Sequence, residues 1–234
     1  MDFIFVQAPT YKKYTGEAGY QQRPGSLVQE QVKPAAGEGH SQDKGGFIGY
    51  LPQGGLFIAE ELLRQGISVA IVHGDYQKII REIDQLVTNS TVAIGISTLS
   101  GDMLRQAMQI ARHIRKHYPQ KPIIWGGIHP TALKELTLRH SLVDYVVWGE
   151  GELVLPQLLE AIRAGKGFEK IKGIGYKVCD QAFITQMSKF TPLNRVFNLP
   201  YHLLDIRRYT RKMLIGGDRW LPVMTSRVGE ENGN

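Results

Sequence analysis

Five short apolar runs, each followed by a stretch of helical periodicity, constrain this chain more than any other feature. The runs are 3–8 (FIFVQA), 68–74 (SVAIVHG), 92–98 (VAIGIST), 122–127 (PIIWGG) and 144–149 (DYVVWG). Apolar residues at successive positions need cover on both faces, as strands of a helix-covered parallel sheet do. Between and after the runs lie amphipathic segments at 55–66, 76–88, 102–118, 131–140 and 152–165. Strand–helix alternation of this kind predicts an α/β fold with a doubly wound, mostly parallel, five-stranded sheet. Glycines at 66 and 165 stop two of the helices, Pro156 fits a first helical turn, and Asp75 and Asp102 are placed as helix caps.

The rhythm breaks after Gly165. The 234 residues therefore divide into a domain at 1–165, a small β-hairpin at 166–190 turning around Cys179, Asp180 and Gln181, and an extended linker at 191–234. Within the first domain, 10–46 is a long polar loop rich in Gly, Gln, Lys and Pro. Loops of that length in compact domains usually serve a function or stay disordered.

Several classes drop out. No apolar run reaches the roughly 20 residues that span a bilayer. The start, MDFIFVQAP, has neither the basic region nor the cleavage site of a signal peptide. A single cysteine allows no disulfide and no all-cysteine cluster within the chain. A cytoplasmic protein with no membrane partner is the expectation. The net charge of +6 gathers at 112–121 and 207–212, but Arg105, Arg112, Arg115 and Lys116 fall on one solvated helix face. No nucleic-acid partner is expected.

In doubly wound sheets ligands bind beyond the C-terminal strand ends. The glycine fingerprint of dinucleotide sites and the P-loop are both missing there. What stands out is Gly126–Gly127, in IIWGGIHPTAL at 123–133, where a buried strand gives up its side chains on leaving the sheet. Paired glycines there suit a bulky group passing close to the backbone.

The spacing around this pair narrows the reading. Forty-one residues (56–96) separate Gly55 from Ser97, and twenty-six (100–125) separate Leu99 from Gly126. This resembles the cobalamin-binding signature D-x-H-x-x-G, S-x-L, G-G of methionine synthase and the mutases. The Asp and His of that signature are replaced by Tyr50 and Pro52, in YLPQGG. WGGIHPTALKE, followed by DYVVWGEGE and the segment LVLPQLLEAI, further resembles the N-terminal, Rossmann-like cobalamin domain of the B12-dependent radical S-adenosylmethionine enzymes. The likeness extends over roughly 3–227. In that family LPVMTSR (221–227) would lead into a barrel strand and a C-x-x-x-C-x-x-C loop; here Val228 and GEENGN follow.

The resemblance implies cobalamin as the cofactor and a set of binding residues. Tyr50, Leu51, Pro52, Gln53, Gly54 and Gly55 form the loop nearest the lower corrin face. Ser97 is placed to bond the free ring nitrogen of the nucleotide tail, with Thr98 and Ser100 beside it and Leu99 as an apolar wall. Gly126 and Gly127 clear the path of the flat dimethylbenzimidazole. Ile128, His129 and Pro130 shape the turn, and Gly149, Glu150 and Gly151 close the far side. No metal ligand is expected: Pro52 lacks a donor atom, His73 is placed as a solvated edge residue, His129 as a structural hydrogen-bonding group, and His40 in the long loop. Base-off, His-off cobalamin follows. No catalytic residue is expected here, and a 4Fe–4S cluster and S-adenosylmethionine would come only with a radical SAM barrel, as a further domain of a truncated protein or as a partner chain. The chain then reads as the cobalamin module of a radical methyltransferase type. The alternatives are a stand-alone cobalamin carrier or sensor, and an α/β domain that binds no corrinoid.

Overall fold

The computed structural model describes residues 1–9, 51–179, 181–189, 198–212 and 219–220. The expected loop at 10–46, with His40, and Tyr50 lie outside the described residues, as does most of the expected linker. The elements run in the order β1 (Phe3–Gln7), α1 (Gln53–Arg64), β2 (Val69–His73), α2 (Tyr76–Leu86), β3 (Ala93–Ser97), α3 (Asp102–His117), β4 (Ile123–Gly126), α4 (Ile128–Ala132), α5 (Lys134–Arg139), β5 (Tyr145–Val147), α6 (Leu155–Ala164), β6 (Ile174–Val178) and β7 (Gln181–Ile184). A short pair, β8 (Arg211–Lys212) and β9 (Arg219–Trp220), stands apart.

One sheet in the order β2-β1-β3-β4-β5-β6-β7 carries the domain. All five expected strands are present and pair in parallel. The hairpin joins the same sheet: β6 pairs antiparallel with β5, and β7 with β6. Two apolar layers follow from strand alternation. Phe3 and Phe5 enter the layer shared with α1 and α6, through Leu56, Leu62, Leu155 and Leu159. Ile4 and Val6 enter the layer shared with α2 and α3, through Ile79, Ile83, Ile110 and Ile114.

Three local expectations change. The helix expected at 131–140 is two short helices, because α4 starts at Ile128, directly after Gly127, and the backbone leaves helical geometry at Leu133 (φ −128°, ψ 45°). Asp102 is the first residue inside α3 rather than its cap; Gly101 occupies the cap, and Asp102 pairs with Arg105 at 3.1 Å. His73 is the third. It is 3 % exposed rather than solvated, because Tyr209 folds back from the C-terminal segment and stacks on it at 5.7 Å between ring centroids. Asp75, by contrast, does cap α2, accepting from the Lys78 backbone N–H at 2.9 Å.

Candidate functional site

Strand order reverses between β1 and β3, and the chain leaves both strands at the same edge of the sheet. That edge is where open α/β sheets collect ligands. A cavity of about 180 Å³ lies there, between the sheet and the helices α1 and α6. Its apolar walls are Phe3 and Phe5 of β1, Ile58 of α1, Ile124, Val147 and Leu155. The rest of the lining is largely glycine: Gly54, Gly95, Gly126, Gly127, Gly149 and Gly151. Ile96 and Ser97 at the end of β3, with Glu150 and the buried Glu152, complete the lining.

The glycines do different work. Gly126 follows Ile124 by two positions on β4 and so shares its face. A Cβ on Gly126 would meet nothing nearer than the Val147 carbonyl oxygen, at 3.8 Å, so its missing side chain leaves space in the cavity. Gly127 is different. Its φ is +95°, and a Cβ there would lie 2.8 Å from the Thr98 carbonyl oxygen and 3.0 Å from Ser97 Oγ. The clearance at Gly127 is for the protein's own backbone. At Gly95 a Cβ would run into the Phe3 ring, and at Gly55 it would come 2.6 Å from the Phe5 ring. These two glycines seat the aromatic wall.

Of the residues singled out in the sequence, Gly54, Ser97, Gly126, Gly127, Gly149, Glu150 and Gly151 line this cavity. Leu51 and Pro52 are buried at the start of α1, where the Pro52 carbonyl accepts from Leu56 N–H at 3.1 Å, and Gln53 is the first helical residue. Thr98 is buried, and its N–H donates to the Gly126 carbonyl at 3.1 Å. Leu99, on the loop after β3, and Ile128, the first residue of α4, are exposed and do not line the cavity. Ser100 Oγ and His129 Nδ1 are 2.9 Å apart, so His129 takes the structural hydrogen bond expected of it. Pro130 is buried within α4.

Sequence reasoning missed the aromatic wall of Phe3 and Phe5, Gly95 and Ile96 of β3, and Ile58, Ile124, Val147, Glu152 and Leu155. One signal was available: Gly95 interrupts the apolar run AIGIS in mid-strand, which marks a close approach. Outside the cavity, His73 Nδ1 is 3.1 Å from the Tyr209 hydroxyl. Burial, then the Lys78 and Arg208 cations, lowers the His73 pKa to about 4. Burial raises that of Tyr209 to about 12. Among the described residues, no three His, Cys, Asp or Glu side chains are grouped to hold a metal ion, and no helix is long and apolar enough to cross a membrane.

The fit to a flat ring can be read from this geometry. Sites for drug-sized ligands occupy about 300–1,000 Å³; this cavity is smaller. It suits one planar apolar group with a polar edge rather than a whole macrocycle. The dimethylbenzimidazole of cobalamin is a group of this size and shape.

Residues 48–159 match the B12 binding domain family, and the match supports cobalamin as the ligand. The particular relatives are methyltransferase-like and cyclase proteins of greater length. The chain is 30 % identical over 135 residues to the uncharacterized methyltransferase PH0819 of Pyrococcus horikoshii, across 54 % of this chain and 28 % of that protein. It is 24 % identical over 115 residues to the anaerobic magnesium-protoporphyrin IX monomethyl ester cyclase of a Synechocystis species, across 49 % of this chain and 22 % of that one. The matched stretches thus span about a quarter of these relatives. Two solved structures share the fold. The radical S-adenosylmethionine methyltransferase TsrM of Kitasatospora setae, with cobalamin and a 4Fe–4S cluster bound, superposes with a TM-score of 0.54 at 15 % identity, over 80 % of this chain and 31 % of that one. The cobalamin-dependent S-adenosylmethionine radical enzyme OxsB gives 0.52 at 15 % identity, over 81 % and 22 %. Residues 48–159, just under half of the chain, are thus similar to B12-binding domains, and the fold is shared with these two radical S-adenosylmethionine proteins.

Proposed function

We propose that this chain binds cobalamin with the nucleotide tail in the glycine-lined cavity and the dimethylbenzimidazole withdrawn from cobalt. The observation that carries the reading is the cavity itself: apolar, ring-sized, at the strand ends, and bordered by Gly126 where a side chain would fill it. Ser97 offers the tail a hydrogen bond. Pro52 stands where related domains place a cobalt-binding histidine, and proline has no donor atom. His73 is buried and covered by Tyr209, which supports a cobalt without that imidazole. Axial ligation is one of the levers a protein has over a cofactor metal, and its absence favours the reduced states from which a methyl group is loaded and passed on.

In this reading residues 1–165 are the binding domain and 191–234 connect it to a radical SAM barrel supplied elsewhere, so that the whole acts as a methyltransferase. The lone cysteine also fits a carrier that hands cobalamin to another protein. An absorption titration with hydroxocobalamin tests the common core of both. Stoichiometric binding with a base-off spectrum supports it, and a colourless protein after gel filtration refutes it. Gain of methyl transfer on adding a barrel protein with three cysteines separates the module from the carrier.

A further inference from the structure

We infer that the Thr131 hydroxyl is a positioning group that fixes the two glycine turns at the cavity rim for the nucleotide tail; the inference rests on the reading that the tail enters this cavity. The parallel ladder between β4 and β5 ends at the pair Trp125 and Val146. Beyond it the two chains diverge into turns at Gly127 (φ +95°) and Gly149 (φ +79°), both of which line the cavity. Neither glycine has a side chain with which to hold its turn in place. Thr131, on α4, spans them. Its Oγ1 donates to the Gly127 carbonyl at 2.8 Å and accepts from the Gly149 N–H at 3.0 Å. A hydroxyl has one donor and two acceptor positions, so one group serves both bonds.

A threonine bonding the carbonyl four residues back is common in helices and by itself says little. The second bond, to a backbone N–H eighteen residues further along, gives this hydroxyl a role outside its own helix. It also completes a series of links. The β3 loop is already tied to the β4 loop, through Thr98 N–H to Gly126 O at 3.1 Å and His129 N–H to Thr98 O at 3.2 Å. Thr131 carries the connection on to the β5 loop. Three of the loops that meet at the cavity are thereby set relative to one another, with the space before Gly126 left open between them. A flat ring entering that space depends on its width, and the width depends on the distance from the β4 turn to the β5 turn.

The test compares parent, Thr131→Val and Thr131→Ser in titrations with cobalamin and with cobinamide, a corrinoid that lacks the nucleotide tail. Valine keeps the shape and removes the hydroxyl, leaving the Gly149 N–H without its acceptor. Thr131→Val is expected to weaken cobalamin binding about tenfold and to leave cobinamide binding at the parent value. Thr131→Ser, which keeps the hydroxyl, is expected to restore cobalamin binding to within about twofold of the parent. The inference is overturned if Thr131→Val binds cobalamin as the parent does, if it loses both corrinoids alike, or if Thr131→Ser falls as far as Thr131→Val. A parent that binds cobalamin no better than cobinamide refutes the tail reading itself, before any variant is compared.

Discussion

Adjacent glycines on β4 and its turn are predicted to fail in opposite ways when substituted. Gly126→Leu places a side chain on the cavity face, with the first atom 3.8 Å from its nearest neighbour. Burying a leucine contributes up to about 1.5–3 kcal/mol, and removing a strand glycine relieves roughly 0.5–1 kcal/mol of entropic cost. The variant is therefore expected to melt at or above the parent temperature. It also occupies part of a cavity of about 180 Å³, so cobalamin binding should weaken on the order of a hundredfold, about 2.8 kcal/mol. Gly127→Ala reverses the pattern. Its φ of +95° with ψ of −168° lies in a region essentially reserved for glycine and costs a side chain about 1–3 kcal/mol. The contact of 2.8 Å with the Thr98 carbonyl oxygen is against backbone and adds to that. A loss of at least about 2 kcal/mol lowers the melting temperature by about 4–8 °C in a chain of this size. Circular dichroism melts and absorption titrations with cobalamin, run on both variants, separate the two effects. A Gly126→Leu protein that binds like the parent, or a Gly127→Ala protein that melts like the parent, would refute the division of labour drawn between them.

Two further outcomes follow from the rest of the structure. His73 is held neutral, with a pKa of about 4 against its ordinary 6.5, so the unfolded chain takes up the proton first as pH falls. The stability from this site is full above about pH 6.5 and drops toward pH 4, by at most about 1.4 kcal/mol per pH unit; urea unfolding at pH 7 and pH 5 should show a smaller loss for His73→Gln than for the parent, and equal losses would contradict the burial of this ring. With one cysteine, the chain cannot supply the three thiolates of a cluster that cleaves S-adenosylmethionine, so anaerobic reconstitution with iron and sulfide should leave no stoichiometric cluster absorption and no 5′-deoxyadenosine; either product would place radical chemistry in this chain.

The parallel sheet was legible because its strands are apolar at successive positions and its helices amphipathic, both local patterns. The loops of the site were legible for the same reason: fold class alone directs ligands to the strand ends, and Gly126 announces itself by ending an apolar strand with no side chain. What stayed hidden depends on contacts distant in sequence. Phe3 and Phe5 read as ordinary core residues, and only the close approach of Gly95 and Gly55 turns their rings into a cavity wall. The shielding of His73 comes from Tyr209, 136 residues away. The hairpin could be read as a hairpin, but its pairing with β5 leaves no mark in either strand. The split between α4 and α5 was missed because 131–140 keeps an unbroken helical pattern across Leu133.

The central claim is that cobalamin is held by its tail in the Gly126 cavity, away from cobalt. Electron paramagnetic resonance of the chain loaded with cob(II)alamin tests it most directly. The account predicts that the nitrogen splitting given by dimethylbenzimidazole in the free cofactor disappears on binding, with no new splitting from a protein imidazole. Bound cob(II)alamin that keeps the splitting of the free cofactor would contradict it.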